Sequence, residues 1–233
     1  MNVVKVNRKE GFESFHSDEA YKTLRTNLEF AGEDNRAIAI TSCSPGEGKS
    51  AVSYNLAVSL AQTGKRVLFV DADMRRSRFL GQVETDVPIK GLSYYLSGQA
   101  ALSDVLVHTD TPHLYAIFAG PVPPNPAELL GSKHFTKLLE EAKKAFDYVI
   151  IDTPPLGSVI DAAIVAQAAG SVAIVVEEGT TSYKFVRVVK DQLEKADCNI
   201  LGVILNKAEQ KKGKYYNSYY GGYYNSYYNK DYK

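Results

Sequence analysis

The sequence predicts an α/β fold built on a doubly wound, mostly parallel sheet. Three observations predict it. Short apolar strand-like runs alternate with segments of helical length, as βαβ units require. The runs Ala37–Thr41, Val67–Val70, Val149–Ile151 and Val172–Val176 carry almost no polar residue, the pattern of strands covered on both faces. The first run leads into a glycine-bearing turn ending in Lys49-Ser50, and strand, glycine turn and helix in that order form a phosphate-binding loop.

Residues 1–16 read as an irregular lead-in. A helix is expected over 17–32. Ser17 can cap it, Asp18 and Glu19 favour the positive end of its dipole, and Tyr21, Leu24 and Leu28 give an apolar stripe that Gly32 ends. The main domain is expected over 33–210. It opens with the strand at Ala37, then the glycine turn and a helix from Lys49 to Gln62 stopped by Gly64. A strand at Arg66–Val70 comes next. Between 72 and 113 the pattern gives only short helices, around Leu92–Leu96 and Leu102–Val107. Leu114–Phe118 reads as a strand, and prolines interrupt 120–126. Helices near 127–130 and 133–145 precede a strand at Tyr148–Ile151. A helix over 160–168, a strand at Val172–Val176, a helix over 182–196 and a last strand at Ile200–Leu205 complete the domain. Ligands of such a sheet sit at the carboxyl ends of its strands.

Residues 211–233 differ from the rest. After Ala208 no aliphatic residue remains, and nine of the chain's 16 tyrosines fall between Tyr215 and Tyr232. Such a segment lacks the apolar content to pack and is expected to be a disordered tail.

The chain has 233 residues, with 27 basic and 27 acidic side chains. A net charge of zero gives no argument for a nucleic-acid partner, and none is expected. Two cysteines, Cys43 and Cys198, make no disulfide framework and fit a reducing cytosol. No apolar run approaches the ~20 residues of a membrane span. A role at a membrane therefore needs another protein to hold this one there.

Three motifs carry chemistry. In the first, Pro45-Gly46-Glu47-Gly48-Lys49-Ser50-Ala51, the glycines let backbone N–H groups turn toward phosphate. Lys49 reaches the β- and γ-oxygens, and the Ser50 hydroxyl can ligate Mg²⁺. Cys43 stands where the usual pattern has its first glycine. The second, Val70-Asp71-Ala72-Asp73-Met74-Arg75, puts two carboxylates at a strand end, for the metal's hydration shell and for accepting a proton from an attacking hydroxyl. The third, Ile151-Asp152-Thr153-Pro154-Pro155, places Asp152 as a metal-supporting carboxylate. The predicted metal set is Ser50, Asp73 and Asp152, and the predicted catalytic set Lys49, Asp71, Asp73 and Asp152. Asn206, ending the last strand, reads equally as an adenine or ribose contact and as a turn residue.

Together these motifs resemble the Walker A, A′ and B elements of the bacterial tyrosine kinases that act in capsule and exopolysaccharide synthesis, within the larger group of partition-ATPase-like P-loop proteins. The resemblance runs from about Glu19 to the last residue. It implies use of ATP and Mg²⁺, formation of ADP, and transfer of phosphate to protein tyrosines. It makes the tail tyrosines Tyr215, Tyr216, Tyr219, Tyr220, Tyr223, Tyr224, Tyr227, Tyr228 and Tyr232 acceptors. They are expected to be modified between subunits, because the tail is expected not to reach back to its own loop. The resemblance also implies a ring of subunits, an octamer in the family pattern, joined through a Glu-x-x-Arg-x-x-Arg helix motif. That motif falls on Glu19, Lys22 and Arg25, and lysine at 22 cannot give arginine's bidentate fork. For a short chain of this type the resemblance implies a separate transmembrane activator that recruits a cytoplasmic kinase to the inner membrane face. Two other readings stay open: a partition-type ATPase, against which the missing extra lysine at 42–44 counts, and a nucleotide-gated scaffold with a tyrosine-rich interaction tail.

Overall fold

The computed structural model describes residues 3–6, 15–32, 35–79, 83–84 and 90–208. Among them nine strands form a sheet in the order β4-β1-β5-β6-β3-β7-β2-β8-β9. The strands are β1 (Val3–Val6), β2 (Ala37–Ser42), β3 (Val67–Asp71), β4 (Val83–Glu84), β5 (Leu106–Thr109), β6 (Leu114–Ile117), β7 (Tyr148–Asp152), β8 (Ser171–Glu177) and β9 (Asn199–Asn206). Among the described strands only the β1/β4 and β5/β6 pairings are antiparallel. The expected fold class is met.

The helices are α1 (Phe15–Phe30), α2 (Lys49–Ala61), α3 (Leu92–Leu96), α4 (Leu102–Val105), α5 (Pro126–Leu130), α6 (Lys133–Ala145), α7 (Asp161–Ala169) and α8 (Tyr183–Lys195). They cover both faces of the sheet, and the strand residues alternate between the two cores. On β3, Val67 and Phe69 join α2 and α1, while Leu68 and Val70 join the side of α6 and α7. This period of two explains the continuous apolar runs: each face of a central strand has its own helix layer.

Three expectations are corrected. Residues 1–16 are not wholly irregular, because Val3–Val6 pairs in parallel with β5. The first helix starts at Phe15, so Ser17 lies inside its first turn instead of capping it. The helix expected to run to Val107 stops at Val105, and Leu106–Thr109 is a strand between β1 and β6. Leu102, Val105 and Leu106 sit at helical spacing, but backbone pairing with two neighbours outweighs that local preference. Other boundaries differ by one or two residues.

The expected acceptor tyrosines, Tyr215, Tyr216, Tyr219, Tyr220, Tyr223, Tyr224, Tyr227, Tyr228 and Tyr232, all lie outside the described residues, which end at 208.

Candidate active site

The strand order brings the three motifs to one edge of the sheet. β7 lies between β3 and β2, and Asp71 and Asp152 are register partners at the ends of β3 and β7. The phosphate loop leaves β2 and enters α2 through Gly48. Gly46 and Gly48 have φ of 91° and 88°, the left-handed region that glycine occupies without strain. Cys43 is not among the positive-φ residues and its side chain is buried in the core. The glycine usual at this position is not needed here.

Lys49 lies almost buried on the floor of the site. Its Nζ stands 3.3 Å from Asp73 Oδ2, 3.6 Å from Asp152 Oδ1 and 3.1 Å from the Ser50 hydroxyl. Burial disfavours its ammonium, but Asp152, Asp73 and Asp71 outweigh that and hold its pKa above the usual value. Ser53, one turn along α2, donates to Lys49 O at 2.7 Å and to Asp152 Oδ1 at 3.2 Å.

The two aspartates of the second motif take different positions. Asp73 lines a cleft of about 530 Å³ that also touches Gly46, Lys49 and Ser50. Asp71 is fully buried and is not part of the cleft wall. It accepts from the Ser77 hydroxyl and from the Asp73 N–H at 3.2 Å. Burial, then the neighbouring Asp152 charge, push its pKa up to about 8, against a smaller lowering by Ser77. Burial likewise raises Asp152, opposed by Lys49. Two residues apart, these carboxylates would point the same way only on an extended chain, and β3 ends at Asp71.

Sequence reasoning assigns no role to the arginines of the A′ segment. Arg75 Nε and Nη2 donate to the two carboxylate oxygens of Asp161 at 2.8 and 3.0 Å, tying the segment to the start of α7. Arg75, Arg76 and Arg78 all line the cleft. Three arginines within four residues are visible in the sequence, and that density of positive charge beside a phosphate loop is the signal that could have found them.

Of the remaining predicted residues, Pro45, Gly46, Gly48, Ser50 and Ala51 line the cleft. The Glu47 side chain faces inward, accepting from the Ser44 N–H at 2.6 Å and from the Thr181 hydroxyl. Only its backbone can serve a phosphate. Asn206 is absent from the cleft wall and donates to Glu47 O at 2.8 Å. Glu19 and Lys22 form an exposed pair within α1 at 2.6 Å. Arg25 donates to Ser59 O at 2.9 Å, joining α1 to α2.

The donor set suits a hard cation. Ser50, Asp73 and Asp152 offer oxygen only. Among the described residues no three acidic, histidine or cysteine side chains converge to hold a metal unaided. A Mg²⁺ ion here would rely on phosphate oxygens and water, its usual habit in nucleotide sites.

A phosphate loop, a buried lysine and strand-end carboxylates on adjacent strands define a P-loop nucleotide-binding protein. Comparison with known proteins narrows this. Residues 35–200 match the family described as AAA domain. The chain is 44% identical over 199 residues to tyrosine-protein kinase CpsD of Streptococcus agalactiae, covering 85% of this chain and 87% of that one. It is 38% identical to tyrosine-protein kinase YwqD of Bacillus subtilis over 202 residues, covering 86% and 85% of the two chains. The kinase domain of Escherichia coli tyrosine kinase ETK superposes with a TM-score of 0.79 at 33% identity, over 91% of this chain and 92% of that one. A more distant fold relative is the septum site-determining protein MinD of Pyrococcus horikoshii, solved with Mg-ADP. It has a TM-score of 0.63 at 27% identity, over 76% and 72% of the chains. The chain belongs to the bacterial tyrosine-protein kinases. It is a nucleotide-using enzyme that phosphorylates protein tyrosine. Among the described residues no helix is long and apolar enough to cross a membrane.

Proposed function

We propose that this kinase transfers the γ-phosphoryl group of ATP to tyrosines of its own C-terminal segment, between subunits, as a switch in capsule or exopolysaccharide synthesis. The observation that carries this reading is the placement of Lys49 within 3.3–3.6 Å of Asp73 and Asp152, on the floor of an open cleft. In the nucleotide complex Lys49 leaves its carboxylate partners for phosphate oxygens, and the Gly46–Ser50 amides bind the same group. Ser50, Asp73 and Asp152 would hold Mg²⁺ together with the nucleotide, and the ion would supply positive charge to the phosphates. Asp73, the carboxylate on the cleft wall, takes the phenolic proton as oxygen attacks in line. The bond from the γ-phosphorus to the bridging oxygen breaks and ADP leaves. A phenol with pKa near 10 needs such a base at neutral pH. Asp71 positions Asp73 by accepting a hydrogen bond from the Asp73 backbone N–H.

The tyrosine cluster at 215–232 supplies acceptors at high local concentration, on the order of mM. Each phosphate adds about −1.5 to −2 charge, so several turn a neutral segment strongly anionic and drive assembled subunits apart. Reach does not forbid transfer within one chain, because Lys207, eight residues before Tyr215, touches Gly46 of the same chain's loop. That revises the ground on which intersubunit transfer was expected, and an experiment with mixed chains decides between the two. We further propose that subunits assemble in a ring through Glu19, Lys22 and Arg25, and that a separate transmembrane protein recruits and activates the kinase. The region shared with Escherichia coli Etk is 26% of Etk, so that relative has further chain beyond the part matched here.

The test is phosphotyrosine mapping by mass spectrometry after incubation with ATP and Mg²⁺, with Lys49→Met beside the wild type. Phosphate on residues 215–232 in the wild type alone supports the reading. Phosphate elsewhere only, or none even with the cytoplasmic part of a membrane partner added, rejects the tail as acceptor.

A further inference from the structure

Two consecutive side chains at the end of β9 hold two consecutive carbonyls of the phosphate loop. Asn206 Nδ2 donates to Glu47 O at 2.8 Å, and Lys207 Nζ donates to Gly46 O at 2.9 Å. Glu177 Oε2 accepts from the same ammonium at 2.8 Å. Neither Asn206 nor Lys207 lines the cleft. They grip the loop from outside.

Peptide geometry turns this grip into an aiming device. In a trans peptide the N–H points opposite to the C=O. A Gly46 carbonyl held toward Lys207 turns the Glu47 N–H the other way. A Glu47 carbonyl held toward Asn206 does the same for the Gly48 N–H. The left-handed conformations of Gly46 and Gly48 permit these rotations. They would equally permit others, so the loop needs an external clamp to select one. The fit is close: a Cβ on Gly48 would stand 2.2 Å from Asn206 Nδ2. The loop has few amides to lose, since the Ser44 N–H is already taken by Glu47 and Pro45 has none. Lys207 itself sits at φ 55°, a left-handed position rare for a non-glycine residue, which its two side-chain partners hold in place. Its charge also polarises the Gly46–Glu47 peptide and strengthens that N–H as a donor to an anion.

We propose that Asn206 and Lys207 are positioning residues for the kinase reaction, aiming the Glu47 and Gly48 amides at the nucleotide phosphates and so setting nucleotide affinity. This rests on the loop being the phosphate site. The residue from which the acceptor segment departs is then part of the scaffold of the donor site.

The test is titration of the full chain with a fluorescent N-methylanthraniloyl-ADP, comparing wild type, Lys207→Met, Lys207→Arg and Asn206→Ala, with thermal melts in the absence of nucleotide. The Lys207 side chain is 47% exposed, so its loss is expected to leave the core packing unchanged. Lys207→Met is expected to raise Kd about tenfold with Tm within about 2 °C of wild type. Lys207→Arg, which keeps a cationic donor, is expected to stay within about twofold. Asn206→Ala shifts Kd in the same direction. An unchanged Kd in Lys207→Met overturns the proposal, as does an equal loss in Lys207→Arg. Lys49→Met separates the two levels: if it binds the probe as tightly as wild type, the phosphate-site reading fails instead.

Discussion

Lys49 and Asp73 stand 3.3 Å apart on the cleft floor, and the same ammonium is 3.6 Å from Asp152. One buried cation thus serves two carboxylates directly and opposes the charge of a third, Asp71. Before nucleotide binds, it occupies the place where positive charge is most needed.

Lys49→Met is therefore expected to cost stability as well as activity. Removing one partner of a buried ion pair leaves uncompensated charge and costs about 3–5 kcal/mol. The nucleotide-free variant should melt about 5–10 °C lower, and autophosphorylation should fall at least ~10³-fold. Calorimetry and phosphotyrosine blotting check the two effects. An inactive variant of unchanged Tm would show that the ammonium is not holding the carboxylates together.

The pH dependence of the nucleotide-free protein follows from Asp71. Its folded pKa, about 8, lies above the unfolded value of 3.8, so the folded state binds the proton more tightly. That stabilisation is present in full below about pH 4 and is lost as pH rises to about 8. Asp152 moves in the same direction. Tm should drop by about 5 °C between pH 6 and pH 8. Asp71→Asn should flatten this part of the profile while abolishing kinase activity. A wild-type profile already flat over that range would contradict the burial argument.

Two glycines of the loop should respond differently to alanine. A Cβ on Gly46 meets nothing within 4 Å, whereas one on Gly48 runs into Asn206. Gly46→Ala carries only left-handed strain of about 1–2 kcal/mol. Gly48→Ala carries that strain and displaces Asn206 besides. Tm and ADP affinity should both fall further for Gly48→Ala, and the reverse order would refute the geometry.

Arg75 holds Asp161 through both carboxylate oxygens, and the Asp161 side chain is 1% exposed. Arg75→Ala leaves that carboxylate without its cation and should destabilise by about 2–4 kcal/mol. Arg75→Lys cannot reproduce the two-pronged bond and should recover less than half of the loss. Chemical denaturation of the three proteins decides it.

Mixed chains test whether transfer crosses between subunits. An active chain with its nine tail tyrosines, Tyr215 to Tyr232, changed to phenylalanine is incubated with full-length Lys49→Met. Phosphate on the tail of the inactive chain is the expected outcome. An unlabelled tail there, beside a labelled tail in the wild type alone, would assign transfer to one chain.

Much of this site was legible because its signals are local. The loop glycines, Lys49, Ser50 and the aspartates ending two apolar strands announce themselves within short stretches of chain. What stayed hidden depends on partners far along the chain. Arg75 meets Asp161 across 86 residues, and Asn206 meets Glu47 across 159. No periodicity encodes such pairs. The strand at Leu106–Thr109 was hidden for a related reason: its pairing with β1 and β6 outweighs a helical spacing of leucine and valine. The division between Asp71 and Asp73 also escaped the sequence, because it turns on where β3 ends.

The inward-facing Cys43 makes the loop a clock for its own opening. Burial, reinforced by the Glu47 charge, raises its thiol from 9.0 to about 11, which thins the reactive thiolate about a hundredfold at neutral pH. Cys43 is only 1% exposed and packs within the core. Alkylation of Cys43 must therefore wait for the loop to lift from that core. The rate at which a small thiol reagent is consumed counts those openings, and a tightly bound nucleotide should slow the count.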